Sequence, residues 1–252
     1  MTRLQMVRRL LVAELRLFLR EPQVLVFVLG FPVVTVVVLG GVFGTEANDS
    51  GFEFINPSHF YAAAYFGVVL AAIGLIMVPS RVASYREQGV IRRYETAGFH
   101  RWVFPLVQYL SGVIFALLGF IALIGAAIVA GDGLPAVEDL TRTLVGLTAG
   151  TLAFISIGVA LGMLFPTARA ASGIGLTLFF PMFLLSGGGP PPASLTESMQ
   201  SVANWLPLTH VIRATQEPWL GLGDGADHLG IVFAMVLGAT GVWLWKSVQV
   251  DG

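Results

Sequence analysis

The chain of 252 residues has no cysteine, which excludes disulfide frameworks and thiolate metal sites. Lysine is almost as scarce: Lys246 is the single one. A phosphate-cradling P-loop needs a Gly-rich turn ending in Lys and Ser or Thr. Lys246 instead follows Trp245 at the end of an apolar run, so no such cradle forms there. Charge as a whole is thin. Only 12% of residues are charged, where a soluble domain carries roughly 25%. With 56% hydrophobic residues and a mean hydropathy of +0.81, the chain reads as an integral membrane protein. The net charge of -1 is uninformative about partners. No basic patch interleaved with aromatics points to nucleic acid.

What is present is a series of long apolar runs. A helix needs about twenty apolar residues to cross a bilayer. Six runs qualify or come close: 24–43, 60–80, 103–130, 144–165, 170–185 and 229–245. The first reads as a retained span rather than a cleaved signal, because it ends at Gly44-Thr45-Glu46 with no small-residue cleavage site. None of the six holds an acidic or basic side chain, which argues against an ion channel or a proton-coupled carrier. The expected fold is an all-α membrane protein of one domain, residues 1–252.

The basic residues are unevenly placed. Arg3, Arg8, Arg9, Arg16 and Arg20 precede span 1, and Arg81, Arg86, Arg92, Arg93 and Arg101 follow span 2. Arg169 precedes span 5 and Lys246 follows span 6; only Arg142 and Arg213 fall on the other side. Basic residues accumulate in cytoplasmic loops, so both termini are expected in the cytoplasm of a plasma or inner membrane. The opposite loops are acidic, with Glu46, Asp49 and Glu53 in the first of them.

Residues 4–20 read as a helix lying on the bilayer. Leu4, Val7, Leu11, Leu15 and Phe18 share one face, with Arg9, Arg16 and Arg20 opposite. The stretch 186–225 opens with Ser186-Gly187-Gly188-Gly189 and three prolines, and is too broken to span yet too apolar for an exposed loop. Short helices dipping into the membrane from the outer side fit it, with the broken backbone covered by protein. Between spans 2 and 3, residues 84–98 read as a short mixed-charge helix, with Arg92 and Glu95 at pairing distance. Gly89 in it would let another surface approach closely.

The run Arg86-Glu87-x-Gly89-x-x-x-Arg93 resembles the coupling-helix region of type-2 ATP-binding-cassette (ABC) transporter permeases. The stretch from Leu185-Ser186-Gly187 through the prolines to Leu206-Pro207-Leu208-Thr209 resembles the same family. Number of spans, amphipathic N-terminal helix and order of motifs match along essentially the whole chain. Gly98-Phe99 stands where the family usually has Pro, Leu195-Thr196 where Leu-Pro often follows the Pro-rich element, and Trp205-Leu206 separates Asn204 from Pro207.

The resemblance implies an exporter subunit. Two permeases, identical or related, would face each other on two P-loop ATPase subunits, which would hold the ATP and Mg; this chain itself would need no cofactor. Arg86 and Glu87 would meet an ATPase groove, with Arg93 behind them and Gly89 allowing close packing. The cargo would be an amphipathic compound: a drug, an antibiotic or a lipid-like molecule. A lipid-linked glycan exporter and a non-transporting scaffold or sensor subunit remain as alternatives. Phe31, Phe66, Phe179 and Phe183 are candidates for a surface that such a cargo would meet. A serine protease would have to join Ser186 to His210, with no placed oxyanion donor. His59, His100, His210 and His228 show no metal-site spacing, and Glu217 beside Pro218-Trp219 reads as an outer-interface feature.

Overall fold

The computed structural model describes residues 3–18, 22, 26, 30–43, 56–96, 103–130 and 136–249. Among them there are helices and connecting turns and no strand. We label the helices α1 (Arg3–Phe18), α2 (Phe31–Phe43), α3 (Pro57–Glu87), α4 (Val90–Thr96), α5 (Val103–Ala130), α6 (Leu140–Leu164), α7 (Ala168–Leu185), α8 (Glu197–Ala203), α9 (Pro207–Leu220) and α10 (Ala226–Gln249). Five of these (α3, α5, α6, α7 and α10) are long and apolar enough to cross a membrane. The first expected span is described only over α2 and the isolated positions 26 and 30.

Helix α3 is the axis of the bundle. Its apolar window is wholly buried inside the protein, whereas that of α10 is almost entirely at the surface. It is also longer than the expected span 60–80. Asn56 caps its start, its side chain accepting from Ser58 N at 2.9 Å, and Pro57 occupies the first turn. It continues through Arg81 to Glu87, so Arg81 belongs to a buried helix and not to a loop.

A single wide turn, Ile73–Met77, interrupts α3, with Val78 N donating to Ile73 O in the five-residue register. The cause is Pro79. It has no N–H for Leu75 O, and its ring would press on that carbonyl. The freed Leu75 carbonyl faces α7 at Gly175, where a Cβ would collide with it. Helix α6 fits the same region with small residues. Gly146, Gly150, Gly158 and Gly162 fall four or eight apart, and each meets α3 or α9 so closely that a methyl would clash. Where α6 carries Phe154 instead, α3 supplies Gly74 against the Phe154 carbonyl. Between apolar helices in lipid there is no hydrophobic drive to associate, so contact area and close backbone approach hold the helices together.

The segment 186–225 folds as a turn, a 3-10 turn at Pro192–Ser194, α8 and α9. Helix α9 is largely buried, packed on α3, α6 and α10. Tyr61 and Tyr65 of α3 donate to Gly189 O at 2.8 Å and Gly188 O at 2.6 Å, tying the Gly/Pro turn to the axis. Trp219 is buried against Phe66 rather than set at an outer interface, with ring centroids 4.8 Å apart.

These contacts predict a contrast within α7. Gly175→Ala is expected to lower stability by about 1–3 kcal/mol, as overpacking does. Gly173→Ala, with open space around its Cα, is expected to be neutral or slightly stabilising. Thermal unfolding of the two variants in the same detergent checks this.

Candidate coupling site

The residues singled out by sequence do not form one short helix: they divide between the basic end of the long α3 and the short α4. Helix α3 ends at Glu87, Gly89 adopts φ +67, and α4 begins at Val90. Gly89 stops α3 by taking the left-handed conformation that a side chain disfavours. A Cβ there would meet nothing within 4 Å, so within this chain its need is conformational and not one of close packing. The Arg92–Glu95 pairing lies outside the described side chains.

Arg86 and Glu87 point to the turn joining α6 to α7. One Arg86 nitrogen donates to Met163 O at 2.6 Å, Gly162 O at 3.0 Å and Phe165 O at 3.3 Å. These carbonyls close the C-terminal end of α6, where a cation opposes the helix dipole. Glu87 accepts from Ala168 N at 3.1 Å, the first residue of α7, where an anion is favoured. Two neighbouring residues thus hold the end of one span-length helix and the start of the next. Arg93 is exposed on α4.

A second polar cluster lies beneath. Arg81 donates to Glu14 of α1 at 2.6 Å, with the two side chains only 4% and 6% exposed. Gln108 of α5 donates to the other Glu14 oxygen at 3.3 Å. The Arg81 guanidinium carbon lies 6.0 Å from the Phe115 ring centroid. Helix α1 is therefore bound to α3 and α5 by a carboxylate on its buried face, beside Val7. Sequence reasoning passed over Glu14. The signal was available: Glu14 follows Val7 by seven residues and so sits on the apolar stripe, where a lone acid needs a partner. Arg9 and Arg16 are exposed, as the opposite face requires, and Arg20 lies outside the described residues.

The aromatic candidates divide. Phe31 packs edge-on to Phe179 and Phe183, with centroids 5.9 and 5.1 Å away, and Tyr65 adjoins Phe183. Phe66 lies elsewhere, between Phe120 and Trp219. Phe66, Phe179 and Phe183 are buried within this chain.

The protease pairing does not form. Ser186 accepts from Thr209 at 2.8 Å, and His210 is turned to Asn204 O (2.9 Å) and to His228 (3.0 Å between Nδ1 atoms). His228 Nε2 in turn lies 3.3 Å from Glu217. Eighteen residues separate the two histidines, which is why spacing did not reveal them. Among the described residues no three His, Cys, Asp or Glu side chains converge to hold a metal.

The family comparison extends over this whole arrangement. Residues 5–218 match the model of the ABC-2 type transporter. The chain belongs to the ABC-2 type transporter family. No curated protein matches it. It is a multi-pass membrane protein and a permease subunit of an ABC transporter, a transport subunit rather than the ATPase itself. The family match takes in α1, α3, the Gly89 elbow and α9, and stops before α10.

Two outcomes follow. Arg81→Met leaves Glu14 buried without its cation and is expected to cost about 3–5 kcal/mol, while Glu14→Leu with Arg81→Leu recovers most of it; unfolding in detergent measures both. Burial holds His210 below its ordinary value of 6.5, with His228 and Arg213 adding to the effect. Its neutral form therefore contributes stability above pH 6.5 that is lost as pH falls below it. The unfolding temperature is expected to fall on acidification from about pH 7 to 5, and His210→Gln to flatten that fall.

Proposed function

We propose that this permease works in an exporter, moving an amphipathic compound out of the cytoplasm or the inner leaflet. Two separate P-loop ATPases, binding ATP with Mg, would drive it, and a second permease, the same chain or a related one, would complete the pore. The basic end of α3 would then face the cytoplasm together with both termini, a placement that the Arg distribution supports.

The observation that carries this reading is the grip of Arg86 and Glu87 on α6 and α7 beside the elbow at Gly89 and the exposed Arg93. A push on α4 is delivered to the end of α3, and from there to two further helices through charge-assisted hydrogen bonds. That assigns different work to residues that sequence placed together. Arg93 is exposed and suited to an acidic rim on an ATPase. Arg86 and Glu87 act inside the permease, passing the displacement to α6 and α7. Helix α1, joined to α3 through Glu14, moves with it.

Affinity purification in mild detergent followed by mass spectrometry is expected to recover a P-loop ATPase with this chain; recovery of the chain alone would favour a scaffold or sensor. With the partner in hand, Arg93→Glu is expected to weaken assembly. Arg86→Gln is expected to leave assembly intact and reduce transport about tenfold or more while ATP hydrolysis continues, a loss of the size of one charged hydrogen-bond set. Equal transport in Arg86→Gln would remove the coupling role.

A further inference from the structure

At the end of the bundle away from the elbow, a cleft of about 620 Å³ opens between the start of α3, the Gly/Pro turn, α8 and α9. Phe60 and Arg86 mark the two ends along α3, and the 26 residue steps from one to the other span about 40 Å at 1.5 Å per residue. The size is that of a small-molecule site. Its lining is mixed: Phe60, Leu185 and Ile212 are apolar, Asn204 is polar, and Arg213 and Glu217 stand on its α9 wall.

Arg213 and Glu217 are four residues apart on one helix, the spacing at which opposite charges pair. They do not pair. Glu217 is drawn instead to His228, and among the described residues no carboxylate reaches Arg213. Proton counting explains the preference. His210 Nε2 faces the Asn204 carbonyl and must carry a hydrogen. Neutral His210 then offers Nδ1 as an acceptor, so His228 Nδ1 must donate to it. With Nδ1–H given to His210, His228 turns Nε2 to the Glu217 carboxylate. Glu217 is engaged by His228, and Arg213 lines the cleft with no carboxylate on it among the described residues.

We propose that this cleft binds an anionic amphiphile, with its phosphate or carboxylate head on Arg213 and its hydrocarbon against Phe60, Leu185 and Ile212. A guanidinium matches either head group with two parallel hydrogen bonds. The His210–His228 pair is a positioning device that keeps Glu217 away from Arg213. Naming this ligand as cargo rests on the exporter reading; its binding does not.

The test uses the full chain in nanodiscs of zwitterionic lipid, with empty nanodiscs as reference. Octyl phosphate, octanol and inorganic phosphate are titrated by calorimetry. Saturable binding of octyl phosphate, about tenfold or more tighter than either other probe, is expected. Arg213→Gln is expected to remove that advantage, and Arg213→Lys to keep part of it. His228→Gln is expected to weaken octyl phosphate several-fold by releasing Glu217 to Arg213. Ala193→Glu places a carboxylate on the facing wall and is expected to abolish anion binding even if Arg213→Gln misfolds. Equal binding of octanol and octyl phosphate would overturn the proposal, and so would undiminished binding in Arg213→Gln and Ala193→Glu. Binding of inorganic phosphate as tight as octyl phosphate would make it a free-anion site and overturn the amphiphile. Should the cleft fail while Arg86→Gln still uncouples transport from ATP hydrolysis, the exporter reading stands and its cargo passes elsewhere.

Discussion

The structure depends on how closely two backbones can approach α3. Pro79 withholds a hydrogen bond from Leu75, the helix widens by one turn, and the released carbonyl enters the space that Gly175 leaves on α7. The glycines of α6 repeat the arrangement along a full span, against Val82, Val78 and Leu70 of α3 and Val211 and Ala214 of α9. In a bilayer these contacts replace the hydrophobic drive of a soluble core, because dispersion grows with contact area. Their outcome is a buried central rod whose two ends carry the chemistry.

Charge is confined to those ends and is paired there with care. Arg86 and Glu87 each meet the helix terminus whose dipole suits them, so neighbouring side chains of opposite sign serve opposite ends of one turn. Glu14 and Arg81 lie deeper, and their pairing is an anchor rather than a source of net stability, since a buried ion pair barely outweighs its desolvation. What such a pair secures is register: α1 can dock on α3 and α5 in one position. At the far end, His228 meets both His210 and Glu217. The Gly/Pro turn is held to the rod by two tyrosine hydroxyls, so the far end is as firmly tied to α3 as the basic end is.

Much of this was legible in the chain because a bilayer asks simple questions of a sequence. Lengths of apolar runs anticipated α5 over all its described residues, and α6, α7 and α10 to within a few positions of their described ends. Helical periodicity separated the exposed Arg9 and Arg16 from the buried Val7. The Arg86–Arg93 run and the Gly/Pro turn were visible as motifs, and the family match bears out the resemblance they carried. The extent of α3 was not legible, because a helix that leaves the apolar zone while remaining inside protein no longer shows an apolar run. Arg81 therefore read as a loop residue, and Trp219 as an interface residue, when both are packed in the interior.

Sequence by itself determined the class of the protein, its helical makeup and the asymmetry of its charge, since these follow from composition and local period. Tertiary structure alone decided partners. It set Glu14 against Arg81, turned Arg86 inward to α6, separated Phe66 from Phe31, Phe179 and Phe183, and brought His210 to His228. Each of these pairings joins different helices, or opposite ends of one bundle, and the distance between two helices depends on glycines and one proline that belong to neither side chain of the pair.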